Sequence, residues 1–256
     1  MTYSDDIHAW RQAREADLLQ DIGWLTLAGL HWLDAGENPL PIPNVDGTIT
    51  LDGESITLQT NSPVMIDGEA VQSAVLSGDN FNPTYVSVDD ITFIIIERGG
   101  QYAVRLWDKN HPNRVNFKGR HWYDVQPSYR VEGTFAPHPS PRVLNIENTV
   151  GQMIPMQTPG TVTFELFGQQ LMLEAFAKPQ DGIWVIFKDM TSGDTTYGSG
   201  RFMDVLLLDD QRVILDFNTA YNPPCVFTPY ATCPIPPKEN HLPARIEAGE
   251  VTLKHV

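Results

Sequence analysis

The sequence is poor in basic residues. It has 17 lysines and arginines against 32 aspartates and glutamates, a formal net charge of -15 over 256 residues. Such a surface repels phosphate backbones and anionic lipid headgroups, which argues against nucleic acids and membrane surfaces as partners. No apolar run approaches the roughly 20 residues that cross a bilayer, and the first residues show no secretory signal.

Cysteine is scarce as well, because Cys225 and Cys233 are the only two. They are too few for a disulfide framework and too far apart for zinc-finger spacing, so we expect a cytoplasmic protein. No His-x-His, His-Glu-x-x-His or phosphate-loop motif occurs, and we expect no metal and no cofactor. A thiol hydrolase or transferase, with one of the two cysteines as nucleophile and His241 or His121 as base, is the less favoured alternative, because free cysteines are usually small buried hydrophobes.

One helix is predicted, over residues 4 to about 20. Ser4 would cap it, and Asp5 and Asp6 would lie in the first turn, where the helix dipole favours negative charge. A narrow stripe at helical spacing would lie on a sheet: Ile7, Trp10, Arg14 and Leu18.

Short strands with turn residues between them are predicted for the remainder. Asp52-Gly53, Asp67-Gly68 and Gly99-Gly100 each separate apolar stretches, the pattern of two-residue hairpins between antiparallel strands. Further strands are expected from Tyr129 to Phe217, with a proline-rich connector at residues 137–141.

These patterns predict a mainly β protein with an antiparallel β-sandwich or barrel-like architecture. It would have an N-terminal helix and a long proline-rich C-terminal loop segment. We expect a single unit over residues 1–256, with a β-meander at about 45–110 and a second β-layer carrying the motif segment at about 120–256.

Three stretches near the C-terminus are distinctive. They are Thr-Tyr-Gly-Ser-Gly-Arg-Phe at 196–202, Leu-Asp-Phe-Asn-Thr-Ala-Tyr-Asn-Pro-Pro-Cys at 215–225 and Thr-Cys-Pro-Ile-Pro-Pro-Lys-Glu-Asn at 232–240. In these stretches the chain resembles DUF1684, a bacterial and archaeal family of unknown function. The resemblance implies no activity. The family typically has Arg after its Glu-Asn pair, where this chain has His241, which weakens a catalytic role for that histidine.

The polar residues of this segment are the candidate site. Prolines fix the backbone around them, and rigid loops on a β scaffold often carry binding residues. Arg201 would orient an anionic or polar group, Asp216 or Glu239 would act as acid–base, and two asparagines would fix the ligand. The predicted ligand-binding residues of the motif segment 197–241 are Arg201, Asp216, Asn218, Tyr221, Asn222 and Glu239.

Two functions fit this segment. In the first, it binds or processes a polar or anionic small molecule; any catalysis would be metal-free hydrolysis or isomerisation. In the second, the protein is a non-catalytic β-sandwich interaction module, and the polar residues satisfy backbone groups that an irregular segment leaves unpaired. Arg201 would then form a buried ion pair with Asp216. The sequence leaves both open, together with catalysis itself and the oligomeric state.

Overall fold

A computed structural model describes residues 2–79, 82–178, 180 and 182–252. The chain forms two compact units. Unit 1 comprises residues 1–15, 118–226 and 231–256, and unit 2 comprises residues 16–117 and 227–230. Both units are built from antiparallel strands, so the prediction of a mainly β protein is confirmed. No helix in the described part of the chain is long and apolar enough to cross a membrane.

The N-terminal helix α1 spans Tyr3–Leu18. It begins one residue earlier than predicted, because Thr2 rather than Ser4 precedes its first turn. The Thr2 hydroxyl accepts from the N–H of Asp5 at 3.3 Å, and the Asp5 carboxylate accepts from the N–H of Thr2 at 2.7 Å. This reciprocal pair resembles a capping box. Arg11 lies buried in the middle of the helix.

Unit 2 contains an eight-stranded antiparallel sheet and a short helix, α2 (Pro112–Val115). Its strands are β1 (Leu27–Trp32), β2 (Gly36–Pro39), β3 (Gly47–Asp52), β4 (Ser55–Ile66), β5 (Glu69–Val75), β6 (Val86–Val88), β7 (Ile91–Arg98) and β8 (Gln101–Asp108). The strand order is β1-β8-β7-β6-β4-β3-β2, and β5 pairs with β4.

Two of the predicted hairpins have the expected turn residues. Asp67 and Gly68 have φ of 53° and 84°, and Gly99 and Gly100 have φ of 58° and 79°. Positive φ at both central residues is what a type I′ hairpin turn requires. The third turn is displaced by one residue, because Asp52 ends β3 and pairs with Ser55.

Strand β7 shows why the centre of this sheet is continuously apolar. Phe93 and Ile95 belong to one buried cluster, while Ile94 and Ile96 belong to another that includes Leu27. Successive side chains point to opposite faces of a strand, so this strand is buried on both faces.

Unit 1 contains a closed six-stranded barrel in the order β10-β11-β12-β13-β14-β9. The strands are β9 (Arg130–Glu147), β10 (Met153–Leu166), β11 (Gln169–Lys178), β12 (Gly182–Phe187), β13 (Arg201–Leu207) and β14 (Arg212–Asp216). Short 3-10 turns lie at Pro127–Tyr129, Asp209–Gln211, Phe217–Thr219, Pro224–Val226 and Lys238–Asn240. The barrel core includes the fully buried side chains Val162, Leu173, Phe187 and Leu215.

Residues 137–141 lie inside β9, so the predicted proline-rich connector is wrong. Pro137 pairs with Gly160 and Arg142 pairs with Thr158, so residues 138–141 of β9 lie opposite Pro159 alone and form a bulge. Proline cannot donate to a ladder, and a bulge does not require it to. Gly160 permits the close approach of the strands, because a Cβ there would collide with the carbonyl oxygen of Ala136.

Candidate anion-binding site

Arg201 is fully buried at the start of β13. Its guanidinium donates to the backbone carbonyls of Ala248 and, at 3.1 Å, of Ile246, and it lies 3.4 Å from the Asp189 carboxylate. Burial lowers the pKa of Arg201, and the negative charge of Asp189 opposes that effect. The alternative pairing with Asp216 is therefore wrong. Arg201 therefore links the start of β13 to the backbone of Ile246 and Ala248 in the C-terminal segment.

Asp216 and Asn218 hold α1 instead. The Tyr3 hydroxyl donates to both carboxylate oxygens of Asp216 at 2.8 Å, and Arg130 Nε lies 3.7 Å from the same carboxylate. Asn218 has no exposed surface; its amide accepts from the N–H of Gln126 at 2.9 Å and donates to the carbonyl of that residue at 2.9 Å. These contacts join the turn at Asp216 and Asn218 to Tyr3 of the helix and to Gln126, which lies just before the barrel.

Tyr221 and Asn222 follow in the same motif and are also buried. The Tyr221 ring lies under the guanidinium of Arg14, with Cζ 3.7 Å from the ring centroid. Burial raises the pKa of the Tyr221 hydroxyl. Asn222 donates its backbone N–H to the Glu250 carboxylate at 2.7 Å.

Glu239 lies apart from these residues. It is exposed in the 3-10 turn Lys238–Asn240. Its neighbour Asn240 is fully buried, and its side-chain amide bridges β11 and β12. It accepts from the N–H of Glu174 at 2.7 Å and donates to the carbonyl of Ile186 at 2.8 Å.

A cavity of about 660 Å³ lies between α1 and the segment before the barrel, within unit 1. The helix contributes one wall and residues 120–125 contribute the other. The lining residues are Ser4, His8, Arg11, Gln12, Glu15, Arg120, His121, Trp122, Tyr123, Asp124 and Val125.

Arg11 is the most unusual residue of this cavity. It is 6% exposed, and it donates to the carbonyls of Tyr123 at 3.0 Å and Asn218 at 3.2 Å. Its Nε is buried without a hydrogen-bond partner. Among the described residues, no carboxylate forms an ion pair with it. Burial accordingly lowers the pKa of Arg11.

Arg120 lies on the opposite wall of the cavity, and its positive charge is paired with the carboxylate of Glu250. Its Nε and Nη2 bind the two oxygens of Glu250 at 3.0 and 2.5 Å, and both side chains are almost completely buried. The guanidinia of Arg11 and Arg120 lie 4.8 and 5.3 Å from the ring of Trp122. Trp122 is thus an aromatic wall in contact with two cations.

Three of the predicted motif residues contact arginines of this region or their partners. The Asn218 carbonyl accepts a hydrogen bond from Arg11, and the Tyr221 ring stacks under the Arg14 guanidinium. The backbone N–H of Asn222 donates to Glu250, the ion-pair partner of Arg120. None of the six predicted residues lines the described cavity. Arg11 and His8, which line the cavity, were not predicted from the sequence. The one signal available was Arg14, a charged residue within the otherwise apolar stripe of the predicted helix.

A smaller cavity of about 260 Å³ lies on another side of unit 1. It is lined by Lys188, Asp189, Met190, Ser192, Gly198, His241 and Leu242. His241 Nε2 lies 3.2 Å from the carbonyl oxygen of Pro236, and Asp189 is bound by Thr191 and by the backbone N–H of Ile246. No group of three or more His, Cys, Asp or Glu side chains in the described ranges is placed to hold a metal ion.

Unit 1 is thus a closed antiparallel β-barrel with a helix beside it and a polar, arginine-containing cavity. The chain belongs to the family described as "Protein of unknown function (DUF1684)", whose pattern matches residues 115–251. The resemblance found in the motifs is confirmed. The family description carries no activity.

The chain is also similar to an uncharacterised protein of Haloarcula marismortui whose structure was solved by solution NMR. The two are 35% identical with a TM-score of 0.47, over 56% of this chain and 81% of the other. No curated protein matches the chain.

Proposed function

We propose that the protein binds a small organic anion, a carboxylate or a phosphate, in the cavity beside α1. The observation that carries the proposal is Arg11, a nine-tenths buried guanidinium that lines the cavity without an ionic partner. A buried charge is unfavourable unless it is paired. An anionic ligand in the cavity would supply the missing negative charge beside the Arg11 guanidinium.

The dimensions and the walls suit a small molecule. A volume of about 660 Å³ falls in the range of small-ligand sites. Trp122 offers a flat apolar surface, and the helix side presents Ser4, His8 and Gln12 as hydrogen-bonding groups. Glu15 and Asp124 on the same lining favour a ligand that also carries donor groups, such as hydroxyls.

The acidic lining does not neutralise Arg11. Glu15 accepts from the backbone N–H of Arg120 at 2.8 Å, so it is used to hold the opposite wall. Glu250 is bound bidentately by the side chain of Arg120. Asp216 and the exposed Asp124 attract Arg11 through space without a hydrogen bond to it. None of these carboxylates forms an ion pair with Arg11, which leaves its guanidinium to pair with an anionic ligand in the cavity.

The test is isothermal titration of the full chain with succinate and with inorganic phosphate, using neutral succinamide as the ligand control. We expect binding of at least one anion and none of succinamide. Arg11→Gln should weaken that binding by about 10-fold or more, the loss of one charge-assisted hydrogen bond.

Arg212→Gln is the matched control, because Arg212 is an exposed arginine whose side chain is 55% accessible. It should bind as the parent does. Unchanged affinity in Arg11→Gln, with both variants folded by circular dichroism, would refute the proposal, and so would a parent protein that binds neither anion.

A further inference from the structure

Arg11 and Glu15 carry opposite charges on one face of α1. Both line the cavity of about 660 Å³, and they are four residues apart in the helix. Side chains at this spacing lie on neighbouring turns with Cβ atoms about 5–6 Å apart, and oppositely charged ones commonly form an ion pair. Among the described residues, however, no ion pair includes either side chain. The cavity is therefore lined by a cation and an anion that are not paired with each other.

Hydrogen bonds to other parts of unit 1 keep the two side chains apart. Arg11 donates to the backbone carbonyls of Tyr123 at 3.0 Å and Asn218 at 3.2 Å. The Oε2 atom of Glu15 accepts from the backbone N–H of Arg120 at 2.8 Å. Within the described part of the chain, the other carboxylate oxygen, Oε1, accepts no hydrogen bond. This oxygen is left for a donor in the cavity.

The charges of the lining favour a ligand that has a positive as well as a negative group. Arg120 is neutralised by Glu250, with which it forms two hydrogen bonds. Apart from its histidines, the lining then has one positive charge, Arg11, and two negative charges, Glu15 and Asp124. A ligand that is only anionic would bring its charge close to both carboxylates, and like charges repel. A positive group on the ligand would replace this repulsion by attraction.

We propose that the ligand of this cavity is a small zwitterion, a short amino acid whose charged groups lie about 5–6 Å apart, as Arg11 and Glu15 do. This inference rests on the proposed function, in which an anionic group pairs with Arg11. The ligand carboxylate pairs with the Arg11 guanidinium, and its ammonium group donates to Glu15 Oε1 and to Asp124. An ammonium group has three donors and no acceptor, so it suits these carboxylates better than a hydroxyl does. A ligand without net charge is also not repelled by a protein with a formal net charge of -15.

The test is isothermal titration of the full chain at pH 7 with three ligands of similar length. Succinate, 4-hydroxybutanoate and 4-aminobutanoate share one carboxylate, and their other ends are a carboxylate, a hydroxyl and an ammonium group. We expect 4-aminobutanoate to bind about 10-fold or more tightly than 4-hydroxybutanoate, because its second hydrogen bond is charge-assisted. Succinate should bind most weakly of the three. Butylamine, which lacks the carboxylate, should bind far more weakly than 4-aminobutanoate.

The outcomes separate this inference from the proposed function. If 4-aminobutanoate binds no more tightly than 4-hydroxybutanoate or succinate, the zwitterion proposal is wrong and the anion site stands. If butylamine binds as tightly as 4-aminobutanoate, the carboxylate is not recognised and the zwitterion proposal is again wrong. If none of these ligands and no inorganic phosphate binds, the proposed function itself is refuted, and this inference with it.

Conservative variants test the two carboxylates. Glu15→Gln keeps an acceptor for the backbone N–H of Arg120 but removes the charge, and it should abolish most of the preference for 4-aminobutanoate over 4-hydroxybutanoate. Adding Asp124→Asn should abolish the remainder and strengthen the binding of succinate. Asp6→Asn is the matched control, because Asp6 is an exposed carboxylate of the same helix outside the lining. With all variants folded by circular dichroism, an unchanged preference in Glu15→Gln with Asp124→Asn, or an equal loss in Asp6→Asn, would overturn the proposal.

Discussion

The buried ion pair between Arg120 and Glu250 allows a quantitative prediction. Its side chains are 1% and 2% exposed and are joined by two hydrogen bonds of 3.0 and 2.5 Å. Glu250 also accepts from the backbone N–H of Asn222. The substitution Arg120→Met leaves the Glu250 carboxylate inside the protein with one backbone donor and no cation.

Removing one partner of a buried ion pair costs about 3–5 kcal/mol. In a protein of this size each kcal/mol lowers the Tm by roughly 2–4 °C. We therefore expect Arg120→Met to lower the Tm by about 6–20 °C. The control is Arg212→Met, which breaks an ion pair with Glu132 whose side chains are each 55% exposed. Exposed pairs contribute about 0–1 kcal/mol.

Differential scanning fluorimetry and urea unfolding of the parent and both variants measure these losses. A double variant, Arg120→Met with Glu250→Leu, should be more stable than Arg120→Met alone, because it contains no unpaired buried charge. The reasoning is refuted if Arg120→Met costs no more than Arg212→Met. In that case the pair would be solvated and would not hold the wall of the cavity.

Two further substitutions test the packing of unit 1. Asn240→Ala should lower the free energy of unfolding by about 3–5 kcal/mol, because it leaves buried backbone groups of Glu174 and Ile186 without partners. Urea unfolding measures this loss. A loss below about 1 kcal/mol would show that water replaces the amide. Gly249→Ala should be much more destabilising than Gly151→Ala in thermal melts, because both glycines have positive φ but only at Gly249 would a Cβ meet backbone oxygens, at 2.5 and 2.7 Å. Equal losses in the two variants would show that the backbone relaxes around the added methyl group.

The hairpins were predictable because their determinants are local. A pair such as Gly99-Gly100 adopts the positive φ of a hairpin turn without steric cost, so the turn can be predicted from these two residues and the strands beside them. Closure of the barrel was not predictable in this way, since β9 pairs with β14 far along the chain. Residues 137–141 show the same limit: only the pairing of β9 with β10 reveals that a proline-rich stretch lies in a bulge.

The motif segment was located from the sequence, but the roles of its residues were not. Arg201 and Asn218 have side chains that often bind ligands, but in this structure both donate hydrogen bonds to backbone carbonyls. Arg11 was missed because a charged residue on a helix is normally assigned to the solvent face. Its burial follows from contacts with Tyr123 and Asn218, which lie more than a hundred positions away.

The division of unit 1 into separate chain segments has a consequence for folding during synthesis. Residues 16–117 supply all eight strands of unit 2 and emerge from the ribosome early. Arg11 and Arg120, in contrast, depend on partners at Asn218 and Glu250. Unit 2 can therefore complete its sheet before the partners of α1 have been synthesised. Until then Arg11, which is buried in the folded protein, stays exposed to solvent. Because domains generally fold as their sequence emerges, the cavity beside α1 should be among the last features of the protein to form.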